Sequence, residues 1–585
     1  MLFYLIRTDA GELSVSPIVQ ADKPFSAHEM LSPGLPFNLA QGLSEILKAE
    51  QSKAERSKAQ QSQNEKKEIL KFLRKHSDLR TLDWHWVRLP LAEGKLETAK
   101  AATVNEVNEV NEVNERNFTS RIQGRQLSEA DLQRLANEMG LNLKEVIQLC
   151  QLSVLKGQAE WIPAVKKEKQ GWRCMRCGET KIEEWPSIYG LAGTCPSCAA
   201  LGALSSLQVL YRTLEPCPND GGSEANRRPG VNREPIRFAP HWALSQAQEK
   251  ASREVLTFVS DETSRKLLLW AACGAGKTEV CFPAAARALE KGLQVLFAAP
   301  RQDVVLDVAP RLKRDFPGLD ISVLTGVSTR RFTPASLVLA TTHQVLRFYH
   351  AFDLIFMDEV DAFPYYGDEA LAWGLQQALK PKGKIVYLTA TPSPKNIAEI
   401  QSKEMELVRL PARHHRKPLP IPEWIKSSVF DGNDGSDELN QWIKSLAQCG
   451  PVLIFVPKIS WVNVYVKRLQ AMFPEWIIEG SYSSDPERRE KIEKLRTGGY
   501  SVFVTTSILE RGVTVPDAQV IVLEANHDIF DERALVQMAG RVGRTRENPQ
   551  GRALFLARRK TPAIQKAIDW IQEQNNLALE QGLIE

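Results

Sequence analysis

The octet Ala271-Ala272-Cys273-Gly274-Ala275-Gly276-Lys277-Thr278 constrains this chain more than any other stretch. It reads [AG]-x-x-x-x-G-K-T, with Ala rather than Gly in first place. An apolar run, Leu267 to Trp270, precedes it as a buried strand would, and Glu279 to Leu289 follows with a helical pattern. In a strand, Gly-rich turn and helix of this kind, backbone N–H groups and a helix N-terminus converge on phosphate oxygens. Gly274 and Gly276 let the turn fold back, Lys277 reaches the outer phosphates of ATP and Thr278 holds Mg²⁺. Structural turns also match such an octet, so the remaining chain has to carry the same chemistry.

It does so in order. From Leu267 onward apolar strands alternate with helical patterns: 267–272, 294–300, 321–326, 337–342, 354–360 and 384–392. That alternation predicts a parallel sheet with βαβ crossovers, whose ligands bind at strand C-termini. Asp358 and Glu359 end one such strand. Asp358 suits Mg²⁺, and Glu359 can orient and deprotonate an attacking water. Thr389 and Thr391 end another, a pair of hydroxyls able to link nucleotide state to a second lobe. Upstream, Gln248 on an apparent helix start offers an amide that both donates to and accepts from an adenine edge. Arg301, Thr341, Thr342 and Gln344 end further strands and can donate to a phosphate backbone.

After the basic connector Arg413 to Pro420, the strand pattern restarts at 452–456, 476–479, 501–506, 520–523 and 553–556. No second P-loop appears, so this lobe completes a site. Thr505 and Thr506 end one strand as candidate strand contacts. Gln537 leads into Arg541 and Arg544, which lie three apart on a helical pattern and would present two guanidiniums together. A solvated basic face is the plainer reading. Gly540 and Gly543 speak against it, because helix formers would serve such a face better.

The pairs Cys174/Cys177 and Cys195/Cys198 have the spacing of a tetrahedral four-thiolate Zn²⁺ site. Four thiolates leave no open position, so the site is structural in kind. Trp172, Arg173, Arg176 and Tyr189 lie on or between the knuckles. They could stack and charge-pair with a single strand, or the ribbon could merely staple a module lacking its own core. The remaining cysteines, Cys150, Cys217, Cys273, Cys281 and Cys449, read as space-filling.

The chain's 585 residues exceed what one core organises. The reading divides them into an N-terminal module (1–100), a VNE-repeat linker (101–120), a helical and Cys₄ domain (121–235), lobe one (236–420) and lobe two (421–585). Trp84 and Trp86 would be core aromatics of the first module or stacking platforms. Apolar residues from Leu127 to Leu155 are spaced for two helices broken at Gly140. A net charge of +4 permits nucleic-acid binding without demanding it. The N-terminus lacks a signal-peptide pattern, and no apolar run reaches the roughly 18 residues of a membrane span. A cytoplasmic protein is expected, and nine cysteines then favour metal or free thiols over disulfides.

In this order the Gln-bearing helix, AACGAGKT, DEVD, TAT, TTSILERGV and QMAGRVGR resemble a superfamily 2 helicase core over about residues 240–560. With the Cys₄ ribbon just ahead, the RHHRKPLP connector and ERALVQMAGRVGR, the chain is similar to the late-competence ComFA family. The resemblance implies two tandem RecA-like lobes behind a small zinc ribbon; it does not extend to residues 1–120, which read separately as an N-terminal α+β region. It also implies an ATP-driven motor for single-stranded transforming DNA, peripheral to the inner face of the membrane at the uptake channel. Implied partners are a phosphoribosyltransferase-like competence protein and DprA; whether further copies of the chain join a homo-oligomer stays open. The alternatives are a replication-restart helicase resembling PriA, whose family has more zinc cysteines, placed in its second lobe, and a nucleotide-switched DNA clamp that unwinds nothing.

Overall fold

The computed structural model describes residues 3–8, 13–17, 27–51, 67–69, 71, 85–88, 114–214, 236–261, 263–427, 437–507, 515–545 and 549–584. Most of the VNE repeat, Trp84, Cys217 and residues 508–513 of the TTSILERGV segment lie outside them. Two compact units emerge. The first joins Met1–Glu234 with Asp320–Asp353 and Gly367–Gly383, and the second joins Pro235–Leu319 with Leu354–Tyr366 and Lys384–Glu585.

In the first unit an antiparallel sheet runs in the order Leu13–Ser16, Phe3–Thr8, Ala27–Leu35, His85–Arg88, followed in sequence after its third strand by helix Phe37–Gln51. Trp86 belongs to the last of these strands. Two helices, Glu129–Met139 and Leu143–Leu155, each begin with a capping box, Ser128 with Asp131 and Asn142 with Glu145. Such reciprocal caps satisfy N–H groups that the first turn leaves open. Gly140, at φ 70°, ends the first helix as the sequence predicts. Leu127 departs from that reading: it lies in strand Gln126–Ser128, paired with Val209–Thr213, because Ser128 is already the cap. The shared core gathers Phe3, Phe118, Trp161, Tyr211 and Phe332, with Trp161 edge-on to both Phe3 and Tyr211.

Asp131 is fully buried and accepts from Arg347 Nε at 2.9 Å. Burial works against its charge, but the Arg347 charge and hydrogen bond prevail, and its pKa lies below the ordinary carboxylate value. The pair therefore stabilises the fold above the unfolded carboxylate pKa, and this is lost as pH falls through the lowered native value. Asp131→Ala would leave Arg347 buried without its counter-charge. The expected loss is about 3–5 kcal/mol, smaller when Arg347→Met is added. Urea midpoints of the two variants check this; equal losses would show that burial of the lone charge is not the cause.

The second unit holds two parallel α/β sheets. In the first, strand order is Val295–Ala299, Phe352–Asp358, Leu379–Thr389, Lys266–Ala271, Glu406–Leu410. Lys266–Ala271 pairs in parallel with both of its neighbours. The other sheet has six parallel strands: Glu423–Lys426, Ala553–Ala557, Gln519–Leu523, Val452–Phe455, Val502–Thr505, Ile478–Ser481. The four inner strands, runs of Val, Ile, Leu and Phe, are buried throughout, as strands covered on both faces must be. Strands Glu406–Leu410 and Glu423–Lys426 were not anticipated. These are the two RecA-like lobes. Among the described residues no helix is long and apolar enough to cross a membrane.

Candidate active site

Strand Lys266–Ala271 delivers the octet into a turn where Gly274 and Gly276 take φ of 79° and 75°. A Cβ at Gly276 would sit 2.5 Å from Gln248 Nε2, so both backbone sign and space require glycine there. Helix Lys277–Val280 starts directly behind, and after a break at Cys281 the helix Phe282–Glu290 continues. The sequence pattern had suggested one uninterrupted helix; Pro283 at the second helix's start accounts for the break.

Across the turn stands the end of Phe352–Asp358. Lys277 Nζ lies 2.8 Å from Asp358 Oδ1, and Thr278 Oγ1 donates to Asp358 Oδ2 at 3.2 Å. Burial opposes the Lys277 charge, yet Asp358 and then Glu359 outweigh it and hold the ammonium above the ordinary lysine value. Glu359 adopts φ 51°, its N–H donates to Asp358 Oδ1 at 2.7 Å, and its Oε2 is buried without a hydrogen-bond partner. A non-glycine residue in this region carries strain that functional sites commonly store. The oxygens of Asp358 and Thr278 form the hard donor set that suits Mg²⁺.

One residue the sequence reading passed over ties this edge together. Asp361 accepts from Thr389 Oγ1 at 2.7 Å and from Thr391 Oγ1. The Thr389–Thr391 hydroxyls thus report to the acidic strand end, across 28 and 30 residues of sequence.

Gln248 is the third residue of helix Gln246–Ser260. Its Oε1 accepts from the Ser245 N–H at 2.9 Å and its Nε2 donates to the Ala275 carbonyl at 2.9 Å. Its amide therefore caps a helix and braces the P-loop. From the second lobe, Gln537 lies in the last turn of helix Glu532–Ala539, where its Oε1 accepts from Cys273 Sγ at 3.5 Å. Arg541 and Arg544 lie beyond that helix. It stops at Gly540, so the expected helical spacing is corrected to a turn, with Gly543 at φ 63°. Arg544 Nε donates to the Gly540 carbonyl at 2.9 Å. Burial lowers the pKa of Arg544. A cavity of about 1260 Å³ is lined by Gln248, Gly274, Gly276, Lys277, Thr278, Asp358, Glu359, Gln537, Arg541 and Arg544 together.

The candidate strand contacts are less open. Thr505 is buried and its hydroxyl donates to the Ser481 carbonyl at 2.9 Å; Thr506 is buried beside it. Thr341, Thr342 and Gln344 belong to the first unit and are also buried, with Gln344 accepting from Arg347. Arg301 stands at the start of helix Gln302–Asp315 in the second unit, without a side-chain capping bond.

The four knuckle cysteines converge. Sγ separations are 3.7 Å for Cys174–Cys198, 3.5 Å for Cys177–Cys195 and 3.6 Å for Cys177–Cys198, and all four sulfurs lie within 4.8 Å of one another. A tetrahedron with metal–sulfur bonds of about 2.3 Å has edges of about 3.8 Å, so the thiols fit Zn²⁺. The hairpin Val165–Glu168/Gly171–Cys174 presents one knuckle, and strand Gly190–Cys195 with the turn Pro196–Leu201 presents the other. Arg176 is buried, its Nε 3.3 Å from Cys198 Sγ, with Nη2 on the Gly202 carbonyl. Its guanidinium is buried and faces the sulfurs, so Arg176 is not an exposed cation of the ribbon. Trp172 donates to Glu184, and Arg173 pairs with Glu168.

Comparison with known proteins agrees with this layout. Residues 241–394 match the family model "Type III restriction enzyme, res subunit", and 436–546 match "Helicase conserved C-terminal domain". Competence protein ComFA of Bacillus subtilis is 38% identical over 424 residues, 71% of this chain and 88% of that protein. The chain belongs to the ComFA family. ComFA of Streptococcus pneumoniae is 36% identical, covering 72% of this chain and 94% of its own length. Among solved structures, Mycobacterium smegmatis helicase Lhr bound to ssDNA and AMP-PNP aligns at 19% identity with a TM-score of 0.45, over 58% of this chain and 51% of that one. In this ComFA-family chain, the two helicase segments contain every nucleotide-site candidate named above, and the cysteine cluster precedes them.

Proposed function

We propose that this chain is a DNA-stimulated ATPase that moves along single-stranded DNA during competence, driving uptake of transforming DNA. The observation that carries the reading is the single cavity onto which P-loop, acidic strand end and second-lobe arginines all open. Lys277 and the P-loop N–H groups bind the phosphates of ATP. Asp358 and Thr278 would hold Mg²⁺, which when bound neutralises phosphate charge. Glu359, with its orphaned buried oxygen, takes the proton of the attacking water. Arg541 and Arg544 stabilise charge that develops on the transferred phosphoryl group. Gln248 reads the base edge by exchanging its P-loop hydrogen bond for one to adenine. Cys174, Cys177, Cys195 and Cys198 would hold Zn²⁺ in a closed, structural site.

On this reading Arg301, Thr341, Thr342, Gln344, Thr505 and Thr506 take phosphate contacts when the lobes rearrange. The buried state of the threonines requires such a rearrangement. The partners implied are single-stranded DNA, the phosphoribosyltransferase-like competence protein, DprA and other copies of the chain, at the cytoplasmic face of the membrane.

Steady-state ATP hydrolysis tests the reading, with single-stranded DNA, blunt duplex, forked duplex and RNA compared at one stated salt concentration. Stimulation by single-stranded DNA of about tenfold or more is expected, lost in Lys277→Ala. Stimulation mainly by forked DNA would favour a restart helicase. Stimulation by single strands without strand displacement would favour a translocase or clamp. No stimulation by any of them would overturn the motor reading.

A further inference from the structure

Arg413 lies between the two helicase segments, in a connector whose sequence reads only as basic and proline-bearing. It is 1% exposed. Its Nε donates to the Cys273 carbonyl, inside the P-loop, at 2.8 Å. Its Nη1 donates to the Val542 carbonyl at 2.7 Å and to that of Gly543, and its Nη2 to that of Gly540 at 3.2 Å. One planar group thus joins the phosphate loop to three carbonyls of the turn that bears Arg541 and Arg544.

The same seam is close-packed. A Cβ at Gly540 would sit 2.4 Å from Cys273 Cβ, one at Gly543 would sit 3.3 Å from Arg413 Nη1, and one at Gly274 would sit 3.5 Å from Arg413 Nε. His415 Nε2 adds a contact to the Gly543 carbonyl at 3.0 Å. Carbonyls offer partial charge only. Burial, and then the Arg544 charge, bring the Arg413 pKa down to about 9. The guanidinium remains mostly protonated at neutral pH, and its cost of burial is offset only while both loops present their carbonyls to it.

We propose that Arg413 is a positioning residue for ATP hydrolysis, locking the Arg541/Arg544 turn in register with the phosphate loop. Its fork reaches both sides at once; the single ammonium of a lysine cannot. The inference rests on the ATPase reading above.

The test uses the full chain with saturating single-stranded DNA and compares R413M, R413K, R544A and the double variant R413K/R544A. A 1 Å misplacement of catalytic groups can cost about 100-fold in rate, so kcat of R413M is expected to fall by about that factor and that of R413K by about 10-fold. The KM for ATP and the Kd for a fluorescent ADP should stay within about threefold, because the phosphate-binding groups of the P-loop are untouched. Because Arg413 acts through the arginine turn, R413K should add less than about twofold to R544A. Wild-type kcat in R413M would overturn the proposal, and so would R413K and R544A effects that multiply independently. If R413M fails to fold, the R413K and R544A comparison still decides. A wild-type chain without nucleic-acid-stimulated hydrolysis sinks the ATPase reading and this inference together; an active wild type with an unaltered R413K sinks this inference alone.

Discussion

Glu359→Gln is expected to give a protein that binds ATP and hardly turns it over. The Glu359 side chain is almost wholly buried, its Oε2 has no hydrogen-bond partner, and its N–H is held by Asp358. Glutamine keeps the shape and the backbone contact, and removes only the ability to accept a proton. General-base catalysis contributes about 10²–10⁴-fold, so kcat in the presence of single-stranded DNA should drop by that factor. ATP affinity should be unchanged, since Lys277 and Thr278 remain. Lys277→Ala should instead weaken binding itself, because it removes the ammonium that Asp358 and Glu359 keep charged. Measuring kcat beside an equilibrium Kd separates the two variants. A fall of less than about tenfold in Glu359→Gln would mean that another group takes the proton.

Zinc removal should act elsewhere in the chain. Four buried thiols with sulfurs 3.5–3.7 Å apart in the closest pairs are poorly placed without a metal, since as thiolates they repel and as thiols they pack loosely. Structural zinc supplies apparent free energies of about 10–16 kcal/mol, more than a ribbon of this size gains from its own core. Chelation, or Cys198→Ala, is therefore expected to release amide-exchange protection from about residues 160 to 210 while ATP affinity holds. Exchange mass spectrometry read beside nucleotide binding would show both. An unchanged exchange pattern would mean that the ribbon stands without metal, and loss of ATP binding would mean that the nucleotide site depends on it.

The parts of the site legible in the sequence are those whose chemistry sits within a few residues. Gly274, Gly276, Lys277 and Thr278 stand within one local turn, so spacing alone announces them. The acidic strand end and the paired CxxC knuckles are local in the same sense, and the apolar runs between them gave nearly every strand of both parallel sheets. The pattern failed where local order hid the answer. Arg541 and Arg544 looked helical because three residues separate them, but the helix ends at Gly540, where Cys273 leaves no space for a side chain. Arg176 looked like an exposed cation beside aromatics, yet it turns inward to Cys198. Cys273 looked inert, yet it packs against the second-lobe turn and donates to Gln537.

By itself, then, the sequence determined the residue types and their short spacings: a Gly-Lys-Thr turn, a carboxylate pair, a four-cysteine cluster and two parallel sheets to carry them. These depend on side-chain type and short spacing, which a linear chain states directly. The tertiary structure alone decided which groups meet. Thr389 and Thr391 close on Asp361, Gln248 on Ala275, and Arg413 on Cys273 and Gly543, the last across 140 and 130 residues. Hydrogen bonds operate over about 3 Å and are indifferent to sequence separation, so such partners become visible only once the sheets have brought their strand ends together.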